Sequence, residues 1–270
     1  IPSYKRSKTL TKKTLSVLEF YKIDPKKVTI FVANKSELNE YKKALKDSPY
    51  QNFVVALPGI VGVRNFMWHY YPEGTPVLFM DDDITKVQRL VKPKGENAKL
   101  VEVTDLYREV ITPGFSTCRE YNSYLWGVYA STNTLFMDAS KGKEVEDEEI
   151  NPDEIAIGNQ FICGAFYGAI IRHKEDLLVG NPDKEDHERS VAHFIKDGRV
   201  VKLKFLTVVA DYMTQEGGLQ GSRNLRTIEK NARYMKEKFG DYVRIEKHEK
   251  KIKSGKNKGE TGVFWEVRQL

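Results

Sequence analysis

The first 80 residues alternate between two patterns of apolar positions. Three segments repeat apolar residues at helical spacing, and short runs of β-branched and aromatic residues typical of strands follow them. The helical pattern predicts helices over Ser7 to Tyr21, Ser36 to Lys46 and Gly62 to Tyr71, with Ser36 as the cap of the second. The strand pattern predicts strands over Val28 to Ala33, Phe53 to Leu57 and Pro76 to Met80.

This alternation predicts an α/β fold with a mostly parallel central sheet flanked by helices. Ligands of such sheets bind at the carboxyl ends of the strands. The strand over Pro76 to Met80 leads directly into three consecutive aspartates, Asp81, Asp82 and Asp83. Because the strand holds these carboxylates at the edge of the sheet, the triplet is the first candidate for a functional site.

The second half of the chain predicts further strands, helices and a terminal hairpin. The strands cover Tyr124 to Ser131, Phe161 to Arg172 and Arg199 to Ala210, and the helices cover Asp186 to Lys196 and Ser222 to Phe239. Two strands around a turn at Ser254 to Gly259 form the hairpin, and seven carboxylates between Glu144 and Glu154 predict a mobile loop. Without an internal repeat or a dividing linker, residues 1–270 are expected to form a single domain.

Composition places the chain among globular proteins of the cytoplasm. Of 270 residues, 40% are hydrophobic and 30% are charged, and no apolar run approaches the ~20 residues that cross a bilayer. The first residues lack the apolar segment of a signal peptide. Cys118 and Cys163 are too few for a disulfide framework or a structural zinc site. We therefore expect a cytoplasmic protein, with no membrane contact and no obligate protein partner evident.

Charge is distributed unevenly along the chain, although the net charge is only +6. Residues 1–46 hold 12 Lys and Arg against 4 Asp and Glu, and residues 223–270 hold 14 against 7. The residues between them are therefore acidic. Basic flanks favour a polyanionic partner and an acidic centre favours a bound cation, while solvated helix surfaces remain the alternative explanation.

The aspartate triplet is chemically suited to a divalent cation. Hard cations such as Mg²⁺ and Mn²⁺ take carboxylate oxygens, and adjacent carboxylates repel one another unless a cation lies between them. Such ions usually share their site with the diphosphate of a substrate. An acidic turn with solvated side chains is the alternative, and the buried strand that precedes the triplet makes it the weaker one.

Two predicted helix starts carry further candidates. Arg64 lies in the first turn of the helix that begins near Gly62, where free backbone N–H groups also attract anions. Asp186 opens a helix within Lys184 to Arg189, and a helix N-terminus keeps an aspartate ionised, as a base requires. The alternative is an ordinary N-terminal cap. His187 and His193 are six residues apart, which excludes a zinc pair at i and i+4.

A glycine-rich segment precedes the basic C-terminal region. It contains Gly217 and Gly218 and is followed by Arg223 and Arg226, which could grip phosphate when the segment closes over a ligand. A surface loop without function is the alternative. The segment is neither a Walker loop nor a dinucleotide fingerprint, and no Gly-x-Ser-x-Gly elbow of serine hydrolases occurs in the chain.

In their order along the chain, these features resemble the GT-A fold glycosyltransferases. Ile-Pro-Ser-Tyr-Lys-Arg at the start resembles the family's Pro-Ser-Tyr-x-Arg segment, and Asp81-Asp82-Asp83 resembles its D-x-D motif. Glu185-Asp186 resembles the Glu-Asp at a helix start of inverting members. The resemblance implies a GT-A-like domain with a nucleotide-sugar-binding half, residues 1–115, and an acceptor-binding half, residues 116–270.

The resemblance also implies a role for each candidate residue. Four residues at the start would contact the uracil or ribose of a UDP-sugar, namely Pro2, Ser3, Tyr4 and Arg6. Asp81 and Asp83 would hold Mn²⁺ or Mg²⁺, and Asp82 would contact the ribose or the sugar. Arg64 would face the donor, and the Glu185-Asp186 pair would supply the carboxylate that deprotonates the acceptor. A third metal ligand is not evident, with Asp211 and His187 as candidates.

Within this fold, the motifs most resemble the TET/JBP-associated glycosyltransferases, which are common in tailed phages. That group is associated with glycosylation of oxidised or hydroxymethylated bases in DNA. The resemblance implies a nucleotide-sugar donor, DNA with modified bases as acceptor, and host cytoplasm as the location of a phage-encoded enzyme. A polysaccharide, glycan or protein acceptor is the first alternative, and a nucleic-acid-binding module without catalysis is the second.

Overall fold

The computed structural model describes residues 1–95, 97–139, 152–210, 225–251 and 261–270. The predicted acidic loop lies mostly outside these ranges, as do Gly217, Gly218, Arg223 and Asp211. Among the described residues, each helix is too short or too polar to span a bilayer.

The first 80 residues form the predicted alternation of helices and strands. Helix α1 runs through Ser7–Leu10, a π-helical turn Thr11–Leu15, and Ser16–Phe20. The elements that follow are β1 (Ile30–Val32), α2 (Lys35–Ala44), β2 (Phe53–Val55), α3 (Ile60–Tyr70) and β3 (Pro76–Met80). The cap of α2 is Asn34 rather than Ser36, because the Asn34 side chain accepts a hydrogen bond from the Glu37 N–H at 3.0 Å.

The second part contains predicted and unpredicted elements. The predicted ones are β6 (Leu125–Tyr129), β8 (Phe166–Ile170), α5 (Glu185–Asp197), β9 (Val200–Ala210), α6 (Leu225–Phe239), β10 (Val243–Lys251) and β11 (Thr261–Gln269). The unpredicted ones are β4 (Ile84–Val91), β5 (Lys99–Glu102), α4 with its π-helical start (Tyr107–Ile111, then Thr112–Glu120), and β7 (Ile155–Gly158). Strands β10 and β11 pair antiparallel, as the hairpin prediction requires.

The predicted mostly parallel sheet is not confirmed, because the central sheet is mixed. Its seven strands run in the order β3-β8-β6-β9-β4-β5, with β7 also paired to β9. Only β6 and β9 pair in parallel among these described strands, while the other pairs are antiparallel. The parallel pair of β1 and β2 forms a separate two-stranded sheet.

The difference arises at β3. The local alternation of strands and helices predicted that β3 would extend the parallel set of β1 and β2. Instead β3 pairs antiparallel with β8, whose residues lie about 90 positions later, with Met80 opposite Phe166. Tertiary pairing of this kind leaves no trace in a local pattern. The chain then turns through the aspartates straight into β4 without a connecting helix.

Trp126 on β6 occupies a close gap between α4 and β8. Its side chain is fully buried, and glycines from both neighbours face it. A Cβ added at Gly114 of α4 would lie 2.4 Å from the indole, and one at Gly168 of β8 would lie 2.1 Å from it. Because packed interiors do not yield easily, these glycines are required by space rather than by backbone conformation.

Gly114→Ala is expected to destabilise the protein. Alanine usually stabilises a helix by about 1 kcal/mol relative to glycine. Here the added methyl group meets Trp126, so the free energy of unfolding should fall by about 1–3 kcal/mol. Urea denaturation followed by circular dichroism measures the change. Ser116→Ala, at an exposed position of the same helix, is the control and should change stability by less than about 0.5 kcal/mol. Equal or greater stability of Gly114→Ala would contradict the packing described here.

Candidate functional site

The aspartate triplet forms a tight turn between β3 and β4. The Asp81 N–H donates to the carbonyl of Ala165 at 2.8 Å, which continues the β3–β8 ladder by one residue. Thr14 of α1 closes the turn from the other side: its hydroxyl donates to the Asp81 carbonyl at 2.7 Å and accepts from the Ile84 N–H at 3.0 Å. The backbone around the three carboxylates is therefore held by two separate elements.

Each aspartate of the triplet has a different environment. Asp81 accepts from Arg64 Nη2 at 2.6 Å, and its side chain is 35% exposed. Asp82 is buried and accepts from Ser3 Oγ at 2.6 Å and from Arg6 Nη1 at 3.4 Å. Asp83 is also buried, and its Oδ2 lies 3.8 Å from Arg6 Nη1. The triplet thus contacts the N-terminal segment on one side and α3 on the other.

The carboxylates of the triplet are short of positive charge. Burial, and then the neighbouring charges of Asp81 and Asp82, raise the pKa of Asp83 from its ordinary 3.8 to about 6. Burial also raises the pKa of Asp82, against the opposing effects of Ser3 and Arg6. A divalent cation beside Asp83 would relieve this repulsion.

The N-terminal segment is anchored on β1 and α2. Pro2 pairs with Phe31 of β1, and the Ser3 hydroxyl lies 2.7 Å from the hydroxyl of Tyr41, which also accepts from the Arg6 N–H at 3.0 Å. Glu37, buried on the same helix α2, accepts from the Lys5 N–H at 2.8 Å. These contacts hold Ser3 and Arg6 against Asp82, whereas Tyr4 is exposed.

A chain of four alternating charges joins the triplet to α5. Arg64 Nη2 binds Asp81, and Arg64 Nε lies 3.4 Å from Oε1 of Glu185. Glu185 Oε2 accepts from Arg189 Nη1 at 2.5 Å. Arg64, Glu185 and Arg189 are all buried. We call these four residues, Asp81, Arg64, Glu185 and Arg189, the charge chain.

Electrostatics within the charge chain keep Glu185 ionised. Burial favours its neutral form, but the guanidinium groups of Arg189 and Arg64 together lower the pKa of Glu185. For Arg64, burial opposes the charged form, while Asp81 and Glu185 raise the pKa above its ordinary value. The ring of Tyr167 on β8 supports the cations, with the Arg189 guanidinium 3.8 Å from its centroid.

The absence of a side chain at Gly164 leaves room for the charge chain. Its carbonyl accepts from Arg64 Nη2 at 3.0 Å. A Cβ at this position would lie 2.7 Å from Oε1 of Glu185 and 3.4 Å from the Cβ of Asp186. A side chain at this position, two residues before β8, would therefore displace the carboxylate of Glu185 from its present place.

Asp186 lies beside the charge chain but outside it. Its side chain is partly exposed, and its Oδ1 accepts from the His187 N–H at 2.9 Å. Burial lowers the pKa of His187, whose ring stacks on Phe161 with centroids 4.2 Å apart. The two adjacent carboxylates of α5 thus differ: Glu185 is enclosed by arginines, and Asp186 is accessible.

The start of α5 is secured by α6 through Glu188. The fully buried carboxylate of Glu188 accepts from the N–H groups of Gly180 and Asn181, each at 2.7 Å. It also accepts from the Tyr234 hydroxyl at 2.8 Å and the Lys238 ammonium at 2.6 Å, both on α6. The first turns of α5 are therefore attached to α6 through Glu188.

The structure joins most of the predicted site residues and leaves others apart. One set of contacts connects Ser3 and Arg6 with Asp82 and Asp83, and a second set connects Arg64 with Asp81 and Glu185. The backbone of the triplet joins the two sets, and Asp186 follows Glu185 in the chain. Arg226 is exposed at the second residue of α6. The proposed roles of Gly217, Gly218 and Arg223, and of Asp211 as a metal ligand, concern residues outside the described ranges.

Sequence reasoning missed several residues on which the site depends. Tyr41 recurs with Leu38 and Leu45 at helical spacing, which predicts a helix and no functional role. Gly164 and Tyr167 lay within a predicted strand without a motif, and Thr14 belonged to a helix that precedes the triplet by nearly 70 residues. Arg189 could have been identified from the sequence. It follows Glu185 by four residues, and oppositely charged residues at this spacing face each other on a helix.

The C-terminal hairpin contains a second group of possible metal ligands. Within the part of the chain that the structure describes, three ligand atoms lie within 4.8 Å of one another only at Glu246, His248 and Glu266. Both carboxylates already face arginines, with Arg268 Nε 2.9 Å from Glu246. At the triplet, by contrast, Asp81 and Asp83 have no third protein ligand at that spacing among the described residues, His187 included.

The fold and site define an α/β protein with a mixed central sheet and a buried acidic and basic network at the end of β3. Comparison of the chain with models of protein families, with curated proteins and with solved structures finds no match.

Asp83→Asn is expected to stabilise the protein at neutral pH. A carboxyl group whose pKa is raised on folding favours the folded state while it is protonated, and this contribution is lost as pH rises from about 4 to about 6. Asparagine mimics the protonated form. Wild type and variant should therefore unfold alike at pH 4, and the variant should gain about 1–3 kcal/mol at pH 7.

Chemical denaturation of both proteins in metal-free buffer across pH 4–8 measures this difference. Asp47→Asn is the control, since the Asp47 side chain is 89% exposed, and it should leave the profile unchanged. A variant that loses stability relative to wild type as pH rises would show that Asp83 is fully compensated in the folded protein.

Proposed function

We propose that this protein is a metal-dependent glycosyltransferase of the GT-A type, which transfers a sugar from a nucleotide-sugar to a modified base in DNA. The observation that carries the proposal is the network itself. A carboxylate triplet at a strand end is bound on one side by the N-terminal segment and linked on the other, through Arg64, to a helix that begins with Glu185 and Asp186. A donor site and a base at adjacent positions are what sugar transfer requires.

The donor set of the triplet fits Mn²⁺ or Mg²⁺. The ligands would be carboxylate oxygens of Asp81 and Asp83, with the remaining positions taken by water and by the donor diphosphate. The partial exposure of Asp81 and the raised pKa of Asp83 agree with this assignment. A bound cation would neutralise the negative charge that develops on the leaving nucleoside diphosphate.

The N-terminal segment would bind the nucleoside of the donor, for which UDP is the expected carrier. Ser3 and Arg6 hold Asp82 against the segment that also contains Pro2 and Tyr4. The exposed ring of Tyr4 is available for stacking on a base. Tyr41 and Glu37 act behind this surface by holding the backbone of the segment.

Asp186 is the better candidate for the catalytic base of the two α5 carboxylates. It lies in the first turn of a 13-residue helix, and its side chain is partly exposed, so an acceptor hydroxyl could reach it. Glu185 is buried between Arg64 and Arg189 and has no free access to an acceptor. Proton transfer to Asp186 during attack on the anomeric carbon implies inversion of configuration.

A DNA acceptor is supported by the charge on α6. Arg226, Lys230 and Arg233 are exposed and lie at i, i+4 and i+7, so they share one face of the helix. The same helix contacts the start of α5 through Tyr234 and Asn231. A basic face on the helix that contacts the start of α5 suits a phosphate backbone. Since a base within a duplex is out of reach, the enzyme would flip it or act on single strands.

The first experiment uses DNA that contains 5-hydroxymethylcytosine and a matched unmodified duplex. Each is incubated with the protein, Mn²⁺ and a panel of nucleotide-sugars, and the digested nucleosides are weighed by mass spectrometry. A pentose or hexose mass on the modified DNA alone is the expected result. Metal-dependent release of nucleoside diphosphate without DNA modification would move the acceptor to a glycan or protein. DNA binding without turnover of any donor would favour the nucleic-acid-binding module.

Asp186→Asn should separate the roles of donor site and base. We expect sugar transfer to fall by about 10²- to 10⁴-fold, the usual contribution of a general base, while the KM for the donor changes little. Asp83→Asn should instead abolish the increase in turnover that Mn²⁺ produces in wild type. Glu120→Gln, at an exposed carboxylate of α4, is the control for both. Full activity of Asp186→Asn would exclude it as the base.

A further inference from the structure

The charge chain places a competitor for the cation directly on Asp81. Arg64 Nη2 lies 2.6 Å from Asp81 Oδ1, so one ligand oxygen of the proposed metal site is already bound to a guanidinium group. Arg64 is 4% exposed and carries two nitrogens, Nε and Nη1, without a hydrogen-bond acceptor. A buried cation with unfilled donors is sensitive to small changes in the charges around it.

Arg64 also forms an ion pair with a second carboxylate, that of Glu185. Its Oε1 lies 3.4 Å from Arg64 Nε, an ion pair that is longer than the contact with Asp81. The other oxygen of Glu185 is bound by Arg189, whose guanidinium group lies over the ring of Tyr167. Arg189 therefore satisfies Glu185 and leaves Arg64 directed mainly toward Asp81.

We propose that Arg189 is a positioning residue that sets how strongly Arg64 neutralises Asp81, and thereby sets the affinity of the triplet for its divalent cation. This inference rests on the proposed cation site at Asp81 and Asp83. Without Arg189, Glu185 would draw Arg64 toward itself and release Asp81 to the cation. Without the charge of Glu185, Arg64 would interact with Asp81 alone and compete more strongly with the cation for its carboxylate.

The proposal predicts that neutral substitutions at the two partners of this ion pair, Arg189 and Glu185, change the affinity for Mn²⁺ in opposite directions. Arg189→Met should tighten Mn²⁺ binding and Glu185→Gln should weaken it, each by about fivefold to tenfold, because the charges interact at short range in a buried site. A merely structural role would not produce this result, since loosening the ion pair from either side would disturb the site in the same direction. If Arg189→Met folds poorly, Arg189→Gln is a second neutral variant, and its affinity for Mn²⁺ should also exceed that of wild type.

Titration of the metal-free protein with Mn²⁺, followed by electron paramagnetic resonance of the free ion, measures the affinity without need of a sugar donor or DNA. Binding that persists in Asp83→Asn belongs to other groups, such as the hairpin residues Glu246, His248 and Glu266, and is subtracted. Thermal denaturation identifies any variant that is not folded.

Asp197→Asn is the matched control. It removes the charge of a comparably enclosed ion pair at the other end of α5, where Asp197 lies 2.7 Å from Arg172, and it should leave Mn²⁺ affinity unchanged. Arg189→Lys should retain most of the wild-type value, because it keeps the positive charge.

Three results would overturn the inference. Shifts of the same sign in Arg189→Met and Glu185→Gln would show a structural role alone. Unchanged affinity in folded variants, with wild type binding Mn²⁺ through Asp83, would remove the coupling and leave the proposed function standing. No Asp83-dependent binding in wild type would remove the cation site, and with it both the inference and the metal-dependent mechanism.

Discussion

The candidate site depends on buried charges that compensate one another in alternation. Taking Arg64, Glu185 and Arg189 out of water costs several kcal/mol for each ion, and only close opposite charges and hydrogen bonds offset that cost. Removing a single member leaves an uncompensated charge and is expected to cost stability. The charge chain therefore links the first residue of α5 to the residue that follows β3.

The mixed sheet is what allows this arrangement. Because β8 runs antiparallel to β3, the residues just before β8 lie beside the residues just after β3, and the Asp81 N–H reaches the Ala165 carbonyl. Gly164 consequently meets both Arg64 and Glu185. A parallel neighbour would have brought its carboxyl end to the triplet instead. The departure from the expected parallel sheet is thus the feature that joins two segments about 80 residues apart.

The sequence allowed prediction of the local elements and of the residues with motifs, but not of how they pair. The strand over Pro76 to Met80 has the predicted bounds, and the helices of the first 80 residues differ from prediction by a few residues at their ends. Such elements follow from spacing and turn residues alone. Tyr41, Thr14 and Gly164 could not be found this way, since each acts on a residue far away in the chain.

The same contrast explains why the Glu-Asp pair at the start of α5 needs the structure to be interpreted. From the sequence, the helix start favours Asp186 as the base, while the resemblance assigns the base only to the pair. The different surroundings of the two side chains are visible only in the structure. On a helix, however, successive side chains point about 100° apart, so one faces the arginines while the other faces the surface. Environment rather than residue type divides roles between adjacent carboxylates. Glu185 is enclosed by arginines that lower its pKa, whereas the side chain of Asp186 is partly exposed.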